Sequence, residues 1–335
     1  MSAAWQPGRR NAITDVPGIR VGHWTDRRAA TGCTVLLCES STFAAVDVRG
    51  GAPGTRETEV LNAANIVRRC DAILLSGGSA FGLAAATGVM RWCREHNIGF
   101  ETTAGRVPIV PGAVVFDLAT GRQDRWPGEN EGYLAAAAAR GGAVRQGSVG
   151  AGTGATVAKL LGNEGRLKGG AGTASLVGPR GLIVGALAIT NAVGNIYDPA
   201  DGSLVAGPLD GGRMLDLPEA MSLRRERQDA LAPPPASTLE NTTLVIVATN
   251  ATLDHHAVQR IAYQAHDGLA RTIVPCHTFG DGDVAFAVAM GQLQTAPEDT
   301  ILAGIMTVHA VERAVLNSVR SATALAGVRH ASATR

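Results

Sequence analysis

With 335 residues, 45% of them hydrophobic and 18% charged, the chain is long enough for one large domain or two ordinary ones and too apolar to stay disordered. Lysine plus arginine number 30 against 29 for aspartate plus glutamate, and a formal net charge of +1 gives no electrostatic case for nucleic acid or an anionic membrane surface as partner. The cysteines, Cys33, Cys38, Cys70, Cys93 and Cys276, are odd in number and none is spaced as CxxC, which reads as free thiols in a reducing compartment.

The N-terminal stretch MSAAWQPGRRNAITDVPG lacks the apolar core of a signal peptide, and no run approaches the roughly 18 apolar residues of a membrane span, so a cytoplasmic protein is expected. Residues 33–38 and 44–48 read as strands, and residues 72–75 as a buried strand running into Ser76-Gly77-Gly78-Ser79. A small-residue helix is expected over 80–95, and another central strand over 181–189. Residues 219–240 hold an arginine-rich run and Pro233-Pro234-Pro235, and are expected to be irregular and exposed. A β-branched strand then begins abruptly at Thr242-Thr243. Beyond it Val258, Ile261, Ala262, Ala265 and Leu269 mark an amphipathic helix with Asp254 as N-cap, followed by a strand over 284–290 and an alanine-rich helix over 299–326. Several strands adjoin one another in this order, which favours sheets covered by helices over a simple alternating parallel fold.

Three motifs invite chemistry. Gly150-Ala151-Gly152-Thr153-Gly154 leading to Lys159 misses the phosphate-loop spacing, with Leu160 where a hydroxyl residue belongs. Gly77-Gly78-Ser79-Ala80-Phe81 misses the GxSxG elbow because Phe81 takes the last glycine's place, so it reads as a strand-to-helix turn. His277, Asp281 and Asp283 have donor types that suit a divalent ion, yet no second cluster stands ready to complete the shell, and no metal is expected.

The Asn241-Thr242 junction combines the end of a proline-rich segment with a strand that opens on a hydroxyl. A threonine cut free at its own nitrogen carries an α-amine of pKa about 7.7–8.0, able to take the hydroxyl proton near neutral pH. Asp281 and Asp283 could hold that amine.

Taken together, residues 14–22 (TDVPGIRVG), 45–51 (AVDVRGG), 75–83 (LSGGSAFGL), Gly150-Ala151-Gly152 to Lys159, Asn191-Ala192-Val193-Gly194, Asn241-Thr242-Thr243 and Asp281-Gly282-Asp283 make the chain resemble the DmpA-type L-aminopeptidase/D-esterase family, nearest its endo-type nylon-oligomer hydrolase branch. The resemblance spans nearly the whole chain. It implies an α+β fold, a four-layer αββα sandwich of the type shared with ornithine acetyltransferases, as one domain over 1–335. It implies self-cleavage between Asn241 and Thr242 into a large fragment, 1–241, and a small one, 242–335, which stay associated and assemble into dimers or tetramers. Carried over residue by residue, the nucleophile falls on Thr242, its paired aspartates on Asp281 and Asp283, the functional asparagine on Asn191 and the lysine on Lys159. The branch has tyrosine where this chain has Phe116, so any hydrogen bond from that phenol is absent or supplied by another group. The implied activity is hydrolysis of short peptides, amides or oligoamides through an acyl-enzyme, without cofactor. The alternatives are an acyltransferase of the ornithine-acetyltransferase type and a non-catalytic binding protein with the same fold.

Overall fold

The structure, a computed structural model, describes residues 5–38, 40–230 and 241–334. In chain order, the strands of its two large sheets are β1 Gln6–Pro7, β2 Arg20–Asp26, β3 Thr31–Leu37, β4 Phe43–Val48, β5 Thr55–Arg56, β6 Ala72–Ser76, β7 Gly112–Val114, β8 Gly170–Val177, β9 Ile183–Asn191, β10 Thr242–Ala251 and β11 Val284–Leu293. The α-helices are α1 Ala85–Glu95, α2 Glu129–Ala137, α3 Leu217–Ala230, α4 His255–Thr272 and α5 Pro297–Arg320. A six-stranded sheet runs β1-β8-β9-β10-β11-β4, and a five-stranded sheet β2-β3-β6-β7-β5. Within the first, β10 and β11 are parallel and joined through α4, while the other pairings are antiparallel.

The period-two alternation of the strands builds the layers. Leu244, Ile246 and Ala248 of β10 join Leu187 and Ile189 of β9 and Val284, Phe286 and Val288 of β11 in a core that also takes Leu36, Ile73, Leu75 and Val115 from the other sheet. The alternate residues of the same strands, Val245, Val247, Ala186, Ala188, Ala285 and Ala287, face Val258, Ile261, Ala265, Met306, Ala310 and Val315 of α4 and α5. On the opposite side, Val35, Leu37 and Leu74 pack under Val89 and Trp92 of α1 and Ala135 and Ala136 of α2. The result is the four-layer αββα sandwich that the resemblance implies.

Small residues set the layer spacing. A Cβ on Gly88 of α1 would stand 1.7 Å from the Glu129 carbonyl oxygen, and one on Gly132 of α2 would stand 1.9 Å from that of Ala85, so these helices cross backbone to backbone. A Cβ on Gly172 of β8 would likewise meet the Ala314 carbonyl oxygen of α5 at 2.1 Å. Much of the glycine content is therefore helix and sheet packing rather than turns.

Two expectations change. The stretch expected to be irregular is helical over its first part, residues 217–230; the expected proline-rich remainder, residues 231–240, lies outside the described residues. Asp216 and Glu219 cap the helix reciprocally: Glu219 N–H donates to Asp216 Oδ1 at 2.9 Å and Asp216 N–H to Glu219 Oε2 at 3.0 Å. Ala220 and Leu223 then pack on Leu160 and Leu215. The last helix stops at Arg320 rather than 326, because Ser148 captures the chain beyond it, accepting from Thr323 N–H at 3.1 Å and donating to Thr323 O at 2.9 Å.

Candidate active site

Three strand ends converge at one end of the central strands of the six-stranded sheet. β10 begins at Thr242, and the antiparallel β9 ends at Asn191, directly opposite it in register. The parallel β11 begins at Val284, paired with Leu244, so the loop before it, which carries Asp281, Gly282 and Asp283, lies against Asn241. Asn191, Asn241, Thr242, Asp281 and Asp283 are all buried.

The carbonyl oxygen of Asn241 accepts two hydrogen bonds, from the Thr242 hydroxyl at 2.5 Å and from Gly282 N–H at 2.9 Å. Two donors on one carbonyl oxygen draw electron density from its carbon, the electrophile of any attack by Thr242. The hydroxyl and the peptide bond that follows Asn241 thus meet within the first residue of a rigid central strand.

The two carboxylates differ in their partners. Asp283 Oδ1 accepts from Thr243 N–H at 2.6 Å, and its Oδ2 from His277 N–H at 3.2 Å and from the His277 ring at Nδ1, 2.8 Å away. Asp281 Oδ2 accepts from Thr278 N–H at 2.7 Å, whereas its buried Oδ1 has no hydrogen-bond partner among the described residues. Burial first, and the neighbouring Asp283 second, push the Asp281 carboxyl above its usual range, with Lys159 opposing them.

Lys159 is half-buried, beyond the short strand Thr156–Val157, and its ammonium donates to the Asn191 main-chain oxygen at 3.1 Å and to Asn191 Oδ1 at 3.2 Å. Asn191 Oδ1 also accepts from Thr156 N–H at 2.9 Å, and Asn191 Nδ2 donates to the Phe116 carbonyl at 3.1 Å. The amide is therefore fixed on both sides. Phe116 joins this network through its backbone. A surface depression lined by Asn163, Glu164, Arg166, Leu209 and Arg329 lies apart from these residues.

The glycine-rich segment 150–154 is a scaffold for this site. Lys168, fully buried, donates to the carbonyls of Thr153 at 2.9 Å and Ala155 at 2.5 Å, and burial lowers its pKa to about 7 against the attraction of Asp117. Asp117, which burial raises to about 6, accepts from Gly78 N–H at 2.7 Å and from the Thr31 hydroxyl at 2.8 Å. The near-miss motifs around Gly77 and Gly150 thus meet at Asp117, which takes the Gly78 N–H and lies so close to Gly154 that a Cβ there would stand 2.6 Å from its own.

Of the residues singled out from the sequence, Thr242, Asn241, Asn191, Lys159, Asp281 and Asp283 come together, and Phe116 contributes a carbonyl. Sequence reasoning passed over Gly282 N–H, Thr156, Thr243 N–H, His277 as a partner of Asp283, and the Asp117–Lys168 pair. Gly282 sits inside a motif already noted, but its role depends on a backbone N–H that composition does not reveal. The donor set with metal-like proximity also differs: Cys276, His277 and Asp283 have ligand atoms within 4.8 Å of one another, and Asp281 is not among them. All five cysteines are free thiols. No helix among the described residues is long and apolar enough to cross a membrane.

Comparison with known proteins gives the family and the fold. The family model described as Peptidase family S58 matches residues 11–333. An uncharacterised aminopeptidase of Mycobacterium tuberculosis is 46% identical over 95% of this chain and 96% of its own length. A 6-aminohexanoate-oligomer endohydrolase of a Kocuria species is 29% identical over 90% of this chain and 81% of its own. Among solved structures, the L-aminopeptidase D-Ala-esterase/amidase of Ochrobactrum anthropi, described as a variant of the Ntn-hydrolase fold, superposes with a TM-score of 0.72 at 21% identity, over 95% of this chain and 88% of that one. The protein is an amide-bond hydrolase with the N-terminal-nucleophile hydrolase fold, and the chain belongs to peptidase family S58.

Proposed function

We propose that Thr242 is the nucleophile of a self-processing amide hydrolase, first against its own chain and then against substrate. The observation that carries this reading is the Thr242 hydroxyl at 2.5 Å from the Asn241 carbonyl oxygen, with Gly282 N–H on the same atom. In the first reaction the Thr242 oxygen bonds to the Asn241 carbonyl carbon, the Asn241–Thr242 C–N bond breaks, and the hydroxyl proton passes to the leaving nitrogen. Water then hydrolyses the resulting ester, leaving a carboxylate on Asn241 and a free α-amine on Thr242.

In the second reaction that amine, of pKa about 7.7–8.0, takes the hydroxyl proton as Thr242 attacks a substrate amide. The proton goes on to the leaving amine, and water resolves the acyl-enzyme. Asp281 Oδ1, buried and without a hydrogen-bond partner among the described residues, is an acceptor suited to the new ammonium group, and Asp283 holds the adjacent Thr243 N–H. Asn191 Nδ2 is the side-chain donor for the oxyanion, a contribution of about 3–4 kcal/mol for such a group. Lys159 orients Asn191 and offsets the charge of Asp281.

Fragments 1–241 and 242–335 would remain one body, because β10 and β11 of the small fragment are hydrogen-bonded to β9 and β4 of the large one. Substrates are short peptides, amides or oligoamides, by analogy with the relatives named above. A cytoplasmic location, suggested by the free thiols, and assembly into homo-oligomers are part of the same reading. The test is the intact mass of wild-type and Thr242→Ala protein under denaturing conditions. Two wild-type fragments separated after Asn241, with the variant whole and inactive, are expected; a Thr242→Ala protein that is active or cut would end this reading. Acyl release that requires an added amine, rather than water, would reassign the enzyme as an acyltransferase.

A further inference from the structure

We propose that His277 is a positioning residue for both reactions, holding Asp283 so that Asp283 in turn fixes the first peptide group after the nucleophile. The proposal rests on Thr242 being that nucleophile. Asp283 uses its two oxygens for different tasks: Oδ1 takes Thr243 N–H at 2.6 Å, and Oδ2 takes two donors from one residue, the His277 N–H at 3.2 Å and the ring at 2.8 Å. Facing a carboxylate, the ring presents Nδ1–H.

The backbone of His277 is bent to make this possible. Its φ is +55°, in the left-handed region that non-glycine residues seldom occupy, and this turn brings its main-chain N–H and its ring to the same oxygen. The ring is supported from behind. His266, fully buried on α4, packs edge-on against it with ring centroids 4.8 Å apart. His266 Nε2 in turn donates to the Asp47 carbonyl at 3.1 Å, and Asp47 Oδ2 accepts from Arg49 Nε at 2.7 Å. The 45–51 motif, which the catalytic reading leaves without a task, therefore supports Asp283 twice: Arg49 N–H donates to the Asp283 main-chain oxygen at 3.0 Å, and Asp47 backs its side chain through His266 and His277.

Without the ring, Asp283 Oδ2 would keep only the weaker main-chain donor and the distant Cys276 thiol at 3.6 Å. The carboxylate would then be free to rotate, and the Thr243 peptide group that follows the nucleophile would lose its fixed position beside the Asn241 carbonyl. Such a loss affects the rate of bond making more than the affinity for substrate.

The test uses full-length wild-type protein, His277→Ala, His277→Asn and His277→Gln. Asparagine places its amide nitrogen near the position of Nδ1, whereas glutamine places it near Nε2. The readouts are the rate of self-cutting by intact mass, and kcat and KM of the cut protein on alanine p-nitroanilide. Expected are cutting and kcat at least tenfold lower in His277→Ala with KM within about twofold, recovery of a third or more of both in His277→Asn, and no recovery in His277→Gln. If alanine does not fold, the asparagine–glutamine contrast decides alone; if the probe is not turned over, the cutting rate does. Wild-type rates in His277→Ala, or equal rates in the asparagine and glutamine variants, would overturn the proposal. So would loss of wild-type activity to EDTA with recovery on added zinc, which would make Cys276, His277 and Asp283 a metal site instead. A Thr242→Ala chain that still cuts would remove the nucleophile assignment, whatever the His277 variants do.

Discussion

A Cβ on Gly282 would lie 2.7 Å from the Ala52 carbonyl oxygen and 2.8 Å from the Thr242 hydroxyl oxygen, on the residue whose N–H bonds the Asn241 carbonyl at 2.9 Å. Gly282→Ala is therefore expected to move both the donor and the nucleophile. Loss of a donor of this kind costs about 3–4 kcal/mol in the transition state, so cutting should slow at least a hundredfold, read from a time course of intact mass. Normal cutting in Gly282→Ala would show that this N–H is not used. Asp281 gives a prediction with a sign. Burial and Asp283 raise its pKa in the folded uncut chain above the ordinary 3.8 of an aspartate, so from that pH upward the folded state holds a proton that the unfolded chain has lost. Stability then falls as pH rises through the folded pKa. In the uncut Thr242→Ala background, Asp281→Asn should be the more stable protein at pH 7, with the advantage fading as pH falls towards 4, measured by urea unfolding at each pH.

Among elements, the 150–157 segment shows how a loop is held where no regular structure holds it. Lys168 supplies donors to two buried carbonyls, Thr153 and Ala155, and balances the buried Asp117. Lys168→Met keeps most of the volume but strands both carbonyls, at a cost of about 1–3 kcal/mol for each, visible as a lower urea midpoint. Since Thr156 N–H in this segment and Lys159 just beyond it orient Asn191, the same variant should also lower kcat. The elements themselves were largely legible. Strand β10, helix α4 and its Asp254 N-cap follow from β-branched content and apolar spacing, and Asp254 Oδ1 does accept from Ala257 N–H at 2.8 Å. Helix α3 was not, because its arginine-rich sequence has almost no apolar face; its signal was the Asp216-x-x-Glu219 capping pair.

For the whole molecule, the position of the cut matters more than its chemistry. Thr242 begins a ten-residue strand in the interior of the six-stranded sheet, and its side chains enter both hydrophobic layers. Cutting before it frees a chain end without removing a ladder bond of β10. The two fragments are expected to co-elute on gel filtration in native buffer and to separate only in denaturant; separate native peaks would mean that β10 does not hold them.

Composition and spacing indicated the strands and helices, which are properties of neighbours along the chain, while the fold class, the junction and the residues around it were implied by the family resemblance that the ordered set of short motifs carries. What the sequence left open is everything that depends on chain segments far apart meeting. Antiparallel register puts Asn191 beside Thr242, parallel pairing brings the Asp281–Asp283 loop onto Asn241, and a left-handed turn aims His277 at Asp283. A backbone N–H such as that of Gly282 carries no side-chain signature, and a buried pair such as Asp117 and Lys168 is 51 residues apart in the chain, so only the tertiary structure could assign them a partner.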